Sequence, residues 1–128
     1  MRDPLSLPAS PADGVLNVVV ESPAGATSKI KWEIELEAFA LSRPLPLGMA
    51  YPHDWGFVPG TRAEDGDPVD ALVLSEGTTY PGLVIPSLPL GVVRLERIVS
   101  RAVGENATTG SSRCPRAPAG TRCALSPS

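Results

Sequence analysis

The run Glu64-Asp65-Gly66-Asp67-Pro68-Val69-Asp70 leads without a break into Ala71-Leu72-Val73-Leu74. Its first half is loop chemistry: Gly66 adopts conformations that other residues avoid, Pro68 has no N–H to give a ladder, and crowded carboxylates repel. Its second half is a short apolar run that reads as a strand leaving the loop. A loop from Pro59 to Pro68 thus delivers a cluster of acids to the start of a strand, and the rest of the chain must supply the sheet.

On the N-terminal side, Val15 to Glu21 is β-branched and ends at Ser22-Pro23-Ala24-Gly25, a strand followed by its turn. Ile30, Trp32, Ile34 and Leu36 alternate with Lys31, Glu33, Glu35 and Glu37, the two-residue period that sets four apolar side chains on one sheet face. Phe39 to Arg43 can pair back before Pro44 and Pro46 stop it, and the aromatic, Pro-flanked segment Tyr51 to Val58 follows. On the C-terminal side, Leu83 to Ile85 and Leu90 to Ile98 read as two further strands separated by Gly and Pro turns. No segment has the period of an amphipathic helix. The expectation is a mainly β protein, a small closed or partly closed barrel in preference to a layered α/β fold.

Composition agrees. The chain is 42% apolar and 20% charged, with 15 Pro and 12 Gly, more than a helical bundle tolerates. At 128 residues it fits one domain with one core and one site. Residues 1–14, broken by Pro4, Pro8 and Pro11, read as a flexible N-terminal segment, and residues 15–99 as the barrel. Residues 100–128 are rich in Ser, Ala, Arg, Gly and Pro without either period, so a disordered tail is expected there. No stretch approaches the roughly 18 apolar residues of a membrane span, and Met1 to Asp13 has no signal-peptide core, so a cytoplasmic location without a membrane partner is expected. Cys114 and Cys123, with no other ligand types around them, indicate neither a zinc site nor a disulfide framework.

Net charge is −3, unevenly spread. Residues 100–128 carry four Arg and one Glu, which leaves 7 basic and 13 acidic side chains in residues 1–99, a net of −6. That excess disfavours nucleic acid as a partner and suits a site that gathers divalent cations. Magnesium takes oxygen ligands and keeps several waters, which a few carboxylates on a tight turn can accommodate. An EF-hand is excluded, because its fifth and sixth loop positions hold Val69 and Asp70 here. A solvated surface turn is the alternative, since Asp-Gly and Asp-Pro are ordinary turn formers.

At its full length the segment from Glu64 to Leu74 resembles the signature of the family I soluble inorganic pyrophosphatases. Other matches follow in order: Val18-Val19-Val20-Glu21-Ser22-Pro23 resembles that family's first strand with its acidic residue, and Ile30-Lys31-Trp32-Glu33 its Lys-Tyr-Glu. Arg43 matches the arginine before the next loop, and Tyr51-Pro52-His53-Asp54-Trp55-Gly56-Phe57 its Tyr-Pro-x-x-Tyr-Gly segment. Together they cover residues 15 to about 95. The resemblance implies a five-stranded, OB-like barrel and magnesium-dependent hydrolysis of inorganic diphosphate to two phosphates. It places metal ligands at Asp65 and Asp70 and a general base toward water at Asp67. Lys31 and Arg43 would hold phosphate oxygens, as point charge and planar fork. Glu21 and Glu33 would be acidic residues of the cavity, and Trp55 would stand where the family has a phosphate-binding tyrosine, with an indole N–H in place of the hydroxyl.

Simpler readings stand beside these: the polar face of the Lys31–Glu33 strand meeting water, Trp55 as an aromatic wedged in the core or cavity wall, and His53 as a solvated residue without a role. Homo-oligomerisation, as a hexamer, is implied by the resemblance alone.

The resemblance ends near Arg97. Beyond the strand Gly91 to Glu96 the family continues into a second acidic cluster and C-terminal helices, none recognisable here; between Ile98 and Ser128 the only carboxylate side chain is Glu105. A truncation or reading-frame shift near Arg97 is the hypothesis, with an exposed barrel edge as its expected consequence. The alternative function is a catalytically impaired chain that only binds metal and diphosphate or docks on an intact subunit.

Overall fold

The computed structural model describes residues 2–94 and the backbone of residues 121–127. Its strands are β1 (Leu16–Ser22), β2 (Ser28–Glu33), β3 (Ala38–Pro44), β4 (Asp54–Val58), β5 (Val69–Val73), β6 (Val84–Arg94) and β7 (Thr121–Pro127). Five of them close a barrel in the order β1-β4-β5-β7-β6, while β2 and β3 form a separate two-stranded sheet. Within the barrel β5 and β7 run parallel, and the other neighbours are antiparallel. This is the mainly β, OB-like barrel expected. Among the described residues no helix is long and apolar enough to cross a membrane.

Strand β1 is the axis of the core. Val18, Val19 and Val20 are all fully buried, which alternation about a single apolar face cannot explain. Val18 belongs to a cluster with Val58, Ala71 and Val73, joined by Ala9, Leu16 and Ile85. Val19 belongs to a second cluster with Trp32 and Phe57, joined by Leu5, Leu7 and Phe39. Successive side chains of a strand point to opposite faces, so β1 carries the barrel core on one face and the β2–β3 hairpin on the other. Trp32 and Phe39 meet edge to face across the hairpin, with ring centroids 5.0 Å apart.

The structure corrects the expectations in four places. First, the apolar alternation from Ile30 to Leu36 is not one strand. β2 stops at Glu33, Glu37 N–H donates to Ile34 O at 3.2 Å, and Ile34 and Leu36 are 68% exposed. The chain must reverse here for β3 to pair with β2, so the periodic pattern runs on into the turn.

Second, the two strands read at 83–85 and 90–98 are one strand, β6, through Pro86 and Pro89. It pairs with β1 up to Ser87 and with β7 beyond, and an irregularity between Pro89 and Gly91 takes up the second proline. Residues 95–98 lie outside the described residues.

Third, the expected disordered tail holds β7 at its end. Parallel pairing with β5 and antiparallel pairing with β6 close the barrel edge that was expected to be exposed. Ladder hydrogen bonds come from the backbone, so a segment without an apolar period can still fill an edge. Residues 100–120 lie outside the described residues.

Fourth, residues 1–14 are not simply a flexible leader. Asn17 N–H donates to Ala9 O at 2.8 Å, and the Asn17 side-chain amide donates to Pro8 O at 2.9 Å. Pro4 is buried in a 3-10 turn, and Leu5 and Leu7 pack on the second cluster. Apolar residues between the prolines anchor the segment to the barrel.

Candidate active site

A cleft of about 550 Å³ opens between the hairpin and the outer side of the barrel. Its charged lining is Glu21, Lys29, Lys31, Arg43, Asp67 and Asp70; Tyr51, Trp55, Trp32 and Phe57 are its aromatic walls.

Each charged residue arrives by a definite backbone device. Glu21 is the extra residue of an irregularity in β1, where Val20 pairs with Gly56 but Ser22 pairs with Trp55. Such bulges re-aim side chains, and the Glu21 carboxylate turns to accept Trp32 N–H at 2.9 Å, joining β1 to the hairpin. Burial raises the Glu21 carboxyl above its ordinary 4.5; the Trp32 N–H opposes this, Asp70's charge adds to it, and Lys29 and Lys31 oppose it further.

Lys29 and Lys31 are two apart on β2 and so share a face. Lys31 Nζ lies 2.9 Å from Glu33 Oε1, and this partner holds the ammonium above its ordinary 10.5, by hydrogen bond first and by charge second. On β3 the pairing shifts, Leu41 facing Ile30 and Arg43 facing Lys29, which leaves Ser42 unmatched. In a regular strand Arg43 would share a face with Leu41. The shift sets it across from Lys29 instead.

The carboxylate loop is built from its own backbone. Thr61 Oγ1 donates to Val58 O at 2.6 Å and accepts Val69 N–H at 3.0 Å, pinning the loop's two ends together. Gly66, at φ 89°, makes the turn, its N–H donating to Ala63 O at 3.0 Å. Ala63 N–H returns to Asp67 O at 2.7 Å. Asp65 Oδ1 accepts Asp67 N–H at 3.0 Å. Asp70, opposite Phe57 in the β4–β5 register, continues the acidic wall into the strand.

Of the expected site residues, Asp67, Asp70, Lys31, Arg43, Trp55 and Glu21 therefore line one cleft. Asp65 stands on the exposed rim of the turn behind Asp67, and Glu33 reaches the cleft only through its ion pair with Lys31. His53 is exposed and is not among the residues that line the cleft. Trp55 packs near Tyr51, with ring centroids 6.3 Å apart, on the wall of the cleft, a place that both the phosphate-contact and the wedged-aromatic readings allow.

Lys29 and Tyr51 were not among the expected site residues. The signal for Lys29 was its position two before Lys31, and that for Tyr51 was its place at the head of the Tyr-Pro segment.

An anion and a hard cation both suit this cleft. Three cations on the hairpin face carboxylates on the barrel, and Asp70 disfavours ionisation of Glu21 across the gap. A dication between the carboxylates would relieve that repulsion. Their oxygen donors are of the type magnesium takes, and one or two carboxylates are its usual protein share.

A model of the family described as inorganic pyrophosphatase matches residues 18–98. An inorganic pyrophosphatase of Synechocystis is 42% identical over 89 residues, 70% of this chain and 53% of that protein. One from Gluconobacter oxydans is 47% identical over 83 residues, 63% of this chain and 47% of that protein. Among solved structures, the inorganic pyrophosphatase of Ehrlichia chaffeensis superposes with a TM-score of 0.74 at 26% identity, covering 96% of this chain and 67% of that one. The chain spans about half the length of the curated relatives it matches. With the family model matching residues 18–98, more than half of the chain, the chain belongs to the inorganic pyrophosphatase family.

Proposed function

We propose that this chain hydrolyses inorganic diphosphate to two phosphates, with magnesium, in the cytoplasm. The observation that carries the reading is the opposition of Lys29, Lys31 and Arg43 to Asp67 and Asp70 across one cleft. Lys31 and Arg43 bind diphosphate oxygens and orient the phosphorus toward the acidic wall. Asp67, its backbone fixed on both sides by Asp65 and Ala63, accepts the proton of the attacking water. The new P–O bond forms as the bridging P–O bond breaks, and the bridging oxygen leaves on the second phosphate. Tyr51 and Trp55 wall the cleft beside the bound anion. Asp70, with Asp65 on the rim, would hold magnesium, which supplies charge neutralisation of the phosphates and a more acidic water. Association of like subunits belongs to the same reading and is supported by exposed Leu88, Leu90 and Val92 along β6.

The test is phosphate release from diphosphate by the purified chain with and without magnesium, beside Asp67→Asn. Magnesium-dependent release that falls by at least about 100-fold in Asp67→Asn is expected. Equal rates in the two proteins would sink the assignment of the base.

A second reading, binding of magnesium diphosphate without turnover, is favoured by one observation. Among the described residues no three acidic side chains converge on a common metal position. Tight binding by calorimetry with no released phosphate would establish it in place of the first.

A further inference from the structure

The cations of the cleft are not equivalent. Lys31 is already matched by Glu33 at 2.9 Å. Lys29 and Arg43 are not: no carboxylate of the described residues forms an ion pair with either, and Glu21 feels Lys29 only as a more distant charge. Yet the register sets Lys29 and Arg43 directly opposite each other, and both line the cleft.

Like charges placed opposite one another weaken a two-stranded ladder. Here the arrangement depends on the irregularity at Ser42, since regular pairing would place Arg43 on Leu41's face. The hairpin is thus built so that two cations without an ion-pair partner among the described residues stand opposite each other in the lining of the cleft. An anion seated between them turns the repulsion into attraction on both sides, and a phosphoryl group, with several oxygens, can accept from a guanidinium fork and an ammonium together.

We propose that Lys29 is a substrate-binding residue, forming with Arg43 a two-cation seat for one phosphoryl end of diphosphate. Lys31, tethered by Glu33, contributes a third charge from a fixed position. The inference rests on the diphosphate reading of the cleft. It predicts that Lys29 acts on affinity and not on the chemical step, because its charge meets bound substrate and transition state alike.

The experiment uses the full chain and titrates methylenediphosphonate, a non-hydrolysable diphosphate, with magnesium present, by calorimetry. Lys29→Gln should weaken binding about tenfold, while Lys29→Arg stays within about threefold of the parent. Without ligand, the Tm of Lys29→Gln should equal or exceed that of the parent, because a repulsion has been removed. In the turnover assay KM should rise with kcat little changed.

Unchanged affinity in Lys29→Gln would overturn the proposal, leaving Lys29 as a solvated strand residue. Weaker binding accompanied by a lower ligand-free Tm would overturn it in favour of a role in holding the hairpin. If the parent chain binds neither methylenediphosphonate nor inorganic phosphate, the diphosphate reading fails with it. If the parent binds and Lys29→Gln matches it, only the role of Lys29 fails.

Discussion

The two faces of β1 serve opposite ends. On one, Val18 meets Val58, Ala71 and Val73 inside a closed barrel with no charged member. On the other, Val19 supports Trp32 and Phe57, and two residues later the same strand presents Glu21 to a charged cleft. The barrel face needs only apolar volume and an unbroken ladder. The cleft face needs a floor as well, because a two-stranded hairpin is at best marginally stable in water by itself. Its charged residues are positioned by the packing of Trp32 and Phe39 on the outside of the barrel. One strand thus couples a scaffold to a site, and substitutions should separate into those that strike both faces and those that strike one.

The largest effect is expected at Gly56, where the two faces cannot be separated. A Cβ on Gly56 would lie 2.0 Å from Val19 O, a backbone atom of the paired strand that cannot step aside. Gly56→Ala should cost at least about 4 kcal/mol, enough to abolish a cooperative transition and with it diphosphate binding. A urea or thermal melt close to that of the parent would show that β1 and β4 can part locally without loss of the barrel.

Asp54 should divide the two regions. It is 1% exposed, accepts Ala24 N–H at 2.8 Å and also accepts from the Ser75 and Thr79 hydroxyls, tying the loops after β1 and β5 to the start of β4. None of these partners lines the cleft. Asp54→Ala strands three donors and should cost about 3 kcal/mol of stability. Affinity for methylenediphosphonate, measured well below the melting range, should be unchanged, the reverse of the pattern expected for Lys29→Gln. Loss of affinity in Asp54→Ala at that temperature would mean that the loops shape the cleft.

The barrel was the more legible region, because its determinants are local. Val15 to Glu21, Phe39 to Arg43 and Ala71 to Leu74 announce strands by composition, and they form β1, β3 and β5 within a residue or two at each end. What could not be read was whatever depends on pairing. The bulges at Glu21 and Ser42 exist only relative to β4 and β2, yet they decide which way Glu21 and Arg43 face. Thr121–Pro127 carries no strand period, and its place between β5 and β6 follows from edges that only the folded barrel creates. In the site, the Asp65–Asp70 spacing pointed to an acidic cluster, but the difference between Asp67 on the cleft wall and Asp65 on the rim is set by Gly66 and the loop's backbone bonds. Lys29 was hidden because a lysine on an alternating strand is ordinarily solvated; its meaning comes from facing Arg43.

The smallest effect is expected at Glu21, where the faces meet, and its sign depends on pH. Burial raises the Glu21 carboxyl above 4.5, and Asp70 adds to the shift. A carboxyl raised on folding holds its proton more tightly in the native chain than in the unfolded one. Its contribution to stability is therefore fully present below about 4.5 and lost as pH rises through the folded value. Above that range the raised carboxyl opposes folding.

Glu21→Gln keeps an oxygen for Trp32 N–H and removes the charge. In magnesium-free buffer at pH 7 it should melt a few degrees or less above the parent, with the gain shrinking to nothing as pH falls toward 4.5. Added magnesium should reverse the order, stabilising the parent more than the variant, because a cation near Asp70 makes the Glu21 charge favourable. Paired melts across pH, with and without magnesium, check both statements. A gain that persists below pH 4.5 would mean that packing against Trp32, and not the Glu21 charge, sets the balance between barrel and cleft.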